Sequence, residues 1–208
     1  MRRDVGGVVP GSFSARFLDE TAAIVSRLDA GEIERMVAGL RAVRDGGGRL
    51  FVLGVGGSAG HASHAVNDFR KLCGFEAYAP TDNVSELTAR INDEGWESSF
   101  VGWLKVSRLR AGDGVLVFSV GGGDRARNVS PNLVTALDHA RAVSARIFAV
   151  VGRPDGHAAR VAESCVVIAA GNPEHVTPHA EGLTAVVWHL MVSHPALKIA
   201  PTRWESLR

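Results

Sequence analysis

The chain has 208 residues and a mass of 22.0 kDa, a size that predicts one domain with a hydrophobic core of its own. Hydrophobic residues make up 46% of the chain and charged residues 22%, which excludes disorder over its bulk. The 23 basic and 22 acidic residues give a formal net charge of +1, so the strongly basic composition typical of nucleic-acid binding is absent.

Cysteine content and hydropathy indicate the compartment. Cys73 and Cys165 are the only cysteines, too few for a disulfide framework or a structural zinc module, which favours a reducing compartment. The first residues carry no apolar stretch like that of a signal peptide, and no later stretch reaches the roughly 20 apolar residues of a membrane span. We therefore expect a cytoplasmic protein with neither a membrane nor a nucleic acid as partner.

Two helices are predicted before the first strand. Residues 1–13 are expected to form a flexible arm, because glycine and proline interrupt every hydrophobic period there. Apolar residues at helical spacing then predict a helix over 14–28 and another over about 31–43, which the glycines at 46–48 end. Since both helices precede the sheet, they are expected to form a lid or a contact between subunits.

From residue 49 onward, short apolar runs alternate with helical patterns. The runs that predict strands, the second of them weakly, lie at 50–53, 76–79, 115–119, 147–151 and 165–169. The helices predicted among them lie at 59–72, 84–91, 96–109, 132–145, 157–163 and 178–192. This alternation is typical of an α/β protein with a doubly wound parallel sheet. In such a sheet, ligands bind beyond the carboxyl ends of the strands.

The first predicted strand ends in a glycine-rich turn that opens a helix and contains Gly54, Gly56, Gly57 and Ser58. Glycines let the backbone approach a ligand, and unpaired N–H groups at a helix N-terminus favour an anion such as phosphate. The turn lacks the third glycine of a dinucleotide-binding loop and the lysine of a nucleoside-triphosphate loop, so no nucleotide cofactor is expected. A tight turn without any ligand is the alternative interpretation.

A second glycine-rich turn follows the third predicted strand. Residues 119–124 read Ser-Val-Gly-Gly-Gly-Asp, and Ser130 followed by Pro131 is a favourable start for the next helix. Two such turns at the ends of two strands can converge on one anion.

Two predicted helices each carry a histidine and a carboxylate. His64 and Asp68 are four residues apart and share a helix face, and Glu181 and His189 are eight residues apart in the last helix. Together the four side chains are a candidate divalent-metal site or acid–base set. The helical rise separates the last two Cα atoms by about 12 Å, so solvated helix faces without a ligand are the alternative.

Other polar residues are weaker candidates. His61, His175 and His179 are further candidates for such a set, and His175 and His179 are also four residues apart, but Pro178 between them argues against a regular helical pair. Asn92 and Asp93 lie where a helix is expected to end, and turn chemistry is the favoured interpretation of this pair from the residues alone.

The order of these motifs resembles the sugar isomerase (SIS) domain family, and within it the phosphoheptose isomerase type. The resemblance covers residues 14–193 and implies a single SIS domain with a flavodoxin-like, doubly wound five-stranded parallel sheet. N-terminal helices at 14–44 and an α/β core at 49–193 would form the domain, followed by a tail at 194–208.

The same resemblance implies an enzyme and an assembly. The implied reaction is the ketose–aldose isomerisation of sedoheptulose 7-phosphate to D-glycero-D-manno-heptose 7-phosphate through an enediol. The implied cofactor is a divalent metal, expected to be zinc. The implied partner is a second copy of the chain, in a homotetramer or dimer with active sites between subunits.

The resemblance also implies roles for individual residues. The positions that match substrate-contacting residues are Gly56, Gly57, Ser58, Asn92, Asp93, Ser119, Val120, Gly121 and Ser130. The positions that match metal ligands are His64, Asp68, Glu181 and His189, and Asp68, Glu181 and His189 among them are expected to handle protons.

The sequence departs from the family pattern at four places. Glycines and Asp124 stand in a loop that is usually rich in serine and threonine, while Val55, Asp68 and Glu181 replace a usual Asn, Glu and Gln. Because the altered loop has lost hydroxyl donors, a non-catalytic SIS module that binds a sugar phosphate or a protein partner is the alternative to an enzyme.

Overall fold

Five parallel strands form the central sheet of this computed structural model, which describes residues 11–202. The strands are β1 (Leu50–Gly54), β2 (Ala77–Tyr78), β3 (Gly114–Ser119), β4 (Arg146–Val151) and β5 (Ser164–Val167), in the order β2-β1-β3-β4-β5. The sheet confirms the predicted doubly wound arrangement, with the chain reversing its direction of travel across the sheet between β1 and β3. Residues 1–10 of the expected arm and 203–208 of the expected tail lie outside the described residues.

Helices cover both faces of the sheet. The α-helices of the described chain are α1 (Phe13–Val25), α2 (Ala30–Asp45), α3 (Gly57–Cys73), α4 (Val84–Glu94), α5 (Ser99–Val106), α6 (Pro131–Ala142), α7 (His157–Val161) and α8 (Val176–Ser193). Short 3-10 turns at Trp96–Ser98 and Pro173–His175 precede α5 and α8. None of the helices within residues 11–202 is long and apolar enough to cross a lipid bilayer.

Some boundaries differ from the sequence prediction. The helix predicted over 96–109 begins as a 3-10 turn and ends at Val106, shortly before Arg108 adopts a left-handed conformation with φ of 54°. The last helix begins at Val176 rather than 178. Pro178 is accommodated there because it lies in the first turn, where a backbone N–H has no intrahelical acceptor.

Buried side chains form one hydrophobic cluster on each face of the sheet. Leu50 and Val52 belong to the cluster shared with α2, α3 and α8, and Phe51 and Leu53 to the cluster shared with α5 and α6. This alternation follows from strand geometry, in which successive side chains point to opposite faces. As a result, α3 and α8 pack beside each other on the same face.

A buried ion pair joins the amino ends of β1 and β3. The Asp113 carboxylate, whose side chain is fully buried, accepts hydrogen bonds from the Arg49 guanidinium at 2.7 Å and 3.2 Å and from the backbone N–H groups of Arg49 and Arg110. Burial by itself raises the pKa of Asp113, but these hydrogen bonds outweigh it and hold the pKa below its ordinary value. The pair therefore stabilises the fold above that ordinary pKa and loses its contribution as the pH falls further.

We expect Asp113→Ala to lower the free energy of unfolding by about 3 kcal/mol, because it leaves a partly buried guanidinium and two backbone N–H groups without acceptors. Urea denaturation monitored by circular dichroism measures the change. Asp45→Ala is the matched control, since Asp45 pairs with Arg41 and Arg44 at the exposed surface. Equal stability losses in the two variants would contradict a structural role specific to the buried pair.

Candidate functional site

The two glycine-rich turns lie side by side at the carboxyl edge of the sheet. Gly54, the last residue of β1, pairs in register with Phe118 of β3, so the turns that follow the two strands start next to each other. A Cβ atom on Gly54 would lie 2.2 Å from the Ser58 carbonyl oxygen, which shows how tightly the first turn of α3 folds back on its strand. This arrangement brings together the two turns that the sequence singles out.

The first turn presents a helix N-terminus without a side-chain cap. Gly56 is the N-cap of α3 with φ of 63° and ψ of −128°, a conformation that glycine readily adopts, and it has no side chain that could cap the helix. Gly56 and Gly57 are exposed, whereas Ser58 is buried. Because the first N–H groups of a helix have no acceptor within it, this end of α3 can bind an anion.

The second turn is anchored through its carbonyl groups. Gly122 and Gly123 accept hydrogen bonds from the N–H groups of Ala158 and His157 at the start of α7, both at 2.8 Å, and the Gly122 N–H donates to Ser119 Oγ at 3.0 Å. Within residues 11–202, the N–H groups of Gly121 and Gly123 have no acceptor. The backbone of the turn therefore offers donors where the usual family loop offers hydroxyl groups.

Asp124 is held within its own small hairpin. It forms an antiparallel bridge with Val129, its Oδ1 accepts from the Arg127 N–H at 3.0 Å, and its carboxylate lies 3.8 Å from the Arg127 guanidinium. Arg127 and Arg153 line the cleft beside this turn. The carboxylate charge of Asp124 is thus partly offset by a neighbouring cation.

Ser130 differs from the sequence prediction in its geometry. It occupies the N-cap position of α6, as expected, but its backbone is left-handed with φ of 47° and its side chain makes no capping hydrogen bond. Within the described chain, Ser130 Oγ is thus available to a ligand.

The packing of α3 against α8 brings three of the four candidate ligands together. Asp68 Oδ2 lies 3.9 Å from His64 Nε2 and 4.0 Å from His189 Nε2, and the two imidazole rings are 5.5 Å apart. Asp68 is the least exposed of the three, with 16% of its side chain exposed against 59% and 51% for the histidines. The group is therefore open to solvent on its histidine side.

Hydrogen bonds orient the donor atoms of this group. His189 Nδ1 lies 2.7 Å from the Ala185 carbonyl oxygen, an arrangement that assigns the proton of the neutral ring to Nδ1 and the lone pair to Nε2. The Asn67 amide donates to Asp68 Oδ1 at 2.8 Å, which leaves Oδ2 facing the histidines. Nε2 of His189 and Oδ2 of Asp68 are therefore acceptors, as metal ligands must be.

Trp188 holds both rings, a role that the sequence pattern did not reveal. The indole is fully buried, stacks on His189 with ring centroids 3.5 Å apart, and meets the His64 ring edge-on at 4.7 Å. The identity of a buried aromatic neighbour depends on the pairing of two helices and cannot be deduced from spacing along one of them.

A divalent metal fits the donor set of His64, Asp68 and His189. Their ligand atoms all lie within 4.8 Å of one another. Two imidazole nitrogens and one carboxylate oxygen are a common zinc ligand set, with a fourth position left for water or substrate.

The carboxylate of Glu181 lies apart from His64, Asp68 and His189. It lies beside the start of α3, where a Cβ atom on Gly57 would be 2.6 Å from its oxygens. Glu181 and His189 are eight positions apart in one regular helix, which explains the separation. Asn92 and Asp93 lie exposed at the end of α4, where the Asn92 amide donates to the Asp93 carboxylate.

A second histidine pair is also brought together. His175 and His179, between which Pro178 argues against a regular helical pair, meet Glu20 of α1. The pairing forms because His175 ends the 3-10 turn and His179 lies in the first turn of α8.

No family model matches the sequence. The chain is 32% identical over 146 residues to a probable phosphoheptose isomerase of Thermoplasma volcanium, covering 68% of this chain and 71% of that protein. It is 31% identical over 186 residues to the phosphoheptose isomerase of Trichlorobacter lovleyi, covering 85% of this chain and 89% of that protein. The chain belongs to the phosphoheptose isomerase family.

Solved structures of phosphoheptose isomerases share the fold of this chain. The phosphoheptose isomerase of Neisseria gonorrhoeae superimposes with a TM-score of 0.73 at 22% identity, covering 86% of this chain and 95% of that chain. The phosphoheptose isomerase of Francisella tularensis gives 0.72 at 18% identity, covering 86% and 94%. The flavodoxin-like fold implied by the sequence is confirmed.

We expect Gly156→Ala to destabilise the second turn, because its Cβ atom would lie 2.0 Å from the Gly121 carbonyl oxygen and backbone cannot yield without moving the turn. The expected loss of unfolding free energy is about 1–3 kcal/mol. Gly171→Ala is the control, since its Cβ atom would meet nothing within 4 Å. Thermal unfolding of the two variants measures the difference, and a Gly156→Ala variant as stable as the control would show that the turn can shift freely.

Proposed function

We propose that this phosphoheptose isomerase family member converts sedoheptulose 7-phosphate to D-glycero-D-manno-heptose 7-phosphate. The observation that carries the proposal is the meeting of His64, Asp68 and His189 on adjoining helices, one of which starts at the anion-suited turn. The non-catalytic alternative is not favoured, because the curated relatives at 31–32% identity are named as isomerases.

The two glycine-rich turns are proposed to bind the phosphate. The uncapped start of α3, the free N–H groups of the second turn and the Ser130 hydroxyl all lie at or beyond strand ends. The residues proposed to contact the substrate are Gly56, Gly57, Ser58, Asn92, Asp93, Ser119, Val120, Gly121 and Ser130.

The reaction moves a proton between adjacent carbons. A base removes a proton from C1 of the ketose while an acid donates a proton to the C2 carbonyl oxygen, which gives an enediol. The base then returns a proton to C2 as the O1 proton leaves, which gives the aldose. We assign the carbon proton to Asp68 and the oxygen protons to His189, whose Nε2 lone pair faces the site and can take a proton only while no metal occupies it. Glu181, beside the first turn, is the other carboxylate that can act as base.

A divalent metal, zinc by its donor set, is proposed to bind His64, Asp68 and His189. When bound, it would stabilise negative charge on the substrate oxygens as a Lewis acid. The family resemblance implies Glu181 as a further ligand, but its carboxylate lies beside the start of α3, apart from the other three residues.

We propose a homo-oligomer with active sites between subunits. Apolar side chains remain exposed on α1 and α8, namely Phe13, Leu18, Val25, Val186 and Leu190, as expected of helices that contact another subunit. In such an assembly Asn92 and Asp93, which are exposed in the single chain, can reach a neighbouring site. We also propose that residues 14–193 form one SIS domain and that the protein is cytoplasmic.

We expect His189→Gln to lower the turnover number by about 100-fold or more, since the amide cannot take and return a proton. Turnover of sedoheptulose 7-phosphate, followed by chromatography of the two heptose phosphates, measures the effect. His194→Gln is the matched control, because His194 pairs with Glu34 away from the site. Full activity of a folded His189→Gln variant would show that His189 does not take part in proton transfer.

The same assay shows whether Asp68 or Glu181 is the base that removes the carbon proton. Asp68→Asn is expected to abolish turnover, whereas Glu181→Gln, which introduces the family's usual residue, is expected to retain it within a few-fold. The reverse pattern would assign the carbon proton to Glu181. Product formed in D2O is expected to carry deuterium at C2, because the base exchanges its proton with solvent.

We expect Gly57→Ala to raise the KM for the sugar phosphate several-fold. Its methyl group would occupy the space between the first turn and Glu181, while the flexible Glu181 side chain can move and leave the fold stable. Gly60→Ala in the same helix is the control, because its Cβ atom meets nothing within 4 Å. Identical kinetics of the two variants would place the substrate elsewhere.

A further inference from the structure

A cluster of two histidines and a carboxylate joins α1 to the start of α8, outside the site described above. His175 Nδ1 lies 2.6 Å from Glu20 Oε2, and His179 Nε2 lies 3.1 Å from the same oxygen. The three ligand atoms all lie within 4.8 Å of one another. We propose that Glu20, His175 and His179 form a second divalent-metal site, suited to zinc, that fastens α1 to α8.

Neighbouring hydrogen bonds assign a lone pair to the ring nitrogen of His179 that faces Glu20. The Thr21 hydroxyl donates its proton to the Phe17 carbonyl oxygen at 2.8 Å, so it can only accept from His179 Nδ1, 3.4 Å away. Nδ1 of His179 therefore carries the proton, and in the neutral ring Nε2 is an acceptor. An acceptor at 3.1 Å from a carboxylate oxygen requires a positive charge, either a proton on the ring or a cation between the two atoms.

The same argument applies to His175. The Asn172 side-chain oxygen accepts from the Glu174 N–H at 3.1 Å, so the Asn172 NH2 group is the end that faces His175 Nδ1, also at 3.1 Å. A donor that faces Nδ1 favours a lone pair there as well. Both rings then direct acceptors at the carboxylate of Glu20, and one divalent cation satisfies all three groups.

The surroundings of the cluster favour a bound ion. His179 is 2% exposed and stacks on Phe17 with ring centroids 4.3 Å apart, while Phe13 and Phe17 flank His175. An apolar shell around a charged donor set strengthens the attraction for a cation and fixes the rings.

The site is independent of the first group. His179 and His189 are ten residues apart in α8, about 15 Å along the helix axis. Two imidazoles and one carboxylate are again the donors, which match the preference of zinc, with a fourth position for water. The site connects α1 to the core, so its role is to hold the N-terminal helix in place.

Zinc stoichiometry in a variant without the first site tests the proposal. The double variant His64→Ala/His189→Ala, freed of metal by chelation, is titrated with zinc chloride, and bound zinc is measured by mass spectrometry after gel filtration. We expect one tightly bound zinc per chain and a melting temperature that rises with zinc. A folded double variant that binds no zinc would overturn the proposal and would indicate that ring protonation alone holds the cluster.

A third substitution locates the ion. Adding Glu20→Gln to the double variant is expected to abolish zinc binding, whereas adding Glu34→Gln, which alters another His–Glu pair, is expected to leave it intact. Retention of one zinc with Glu20→Gln would refute the assignment. If that triple variant fails to fold, cobalt bound to the folded double variant decides the question, since absorption typical of four-coordinate cobalt supports the site and its absence refutes it.

Discussion

The parallel pairing of β1 with β3 is the contact on which the candidate site depends. The register that places Gly54 beside Phe118 sets two glycine-rich turns next to each other, and the Arg49–Asp113 pair fastens the opposite ends of the same two strands. Because α3 leaves directly from the β1 turn, its direction is set by that strand. The positions of His64 and Asp68 are thus a consequence of strand pairing.

The second helix of the site is aligned by packing. Glu181 lies opposite Gly57 and His189 opposite Asp68, so α8 runs in the same direction as α3 along the sheet. Two parallel helices that start at the carboxyl edge give the site a long axis. One end of this axis is the turn suited to an anion, and the other end holds the groups that we propose transfer protons and bind a metal.

The sequence predicts the strands, the two turns and the proximity of His64 to Asp68, because each depends on residues close together in the chain. It does not predict what depends on pairing between elements. The distance of Glu181 from the other candidate ligands, the stacking of Trp188 on His189 and the left-handed backbone of Ser130 are all of this second kind. Pro178 is an example, because a proline breaks a helix only beyond its first turn. The sequence alone does not reveal that α8 begins at Val176.

Trp188 lies between the hydrophobic core and the candidate site, and this position limits how the protein can evolve. The indole of Trp188 belongs to the hydrophobic cluster beneath the sheet, while its ring face supports His189. Any repacking around the tryptophan is transmitted to the imidazole, so mutations that only fill or empty space inside the domain can retune the chemistry outside it. Adaptation to temperature and adaptation to a new sugar are therefore not separable traits along this stretch of helix.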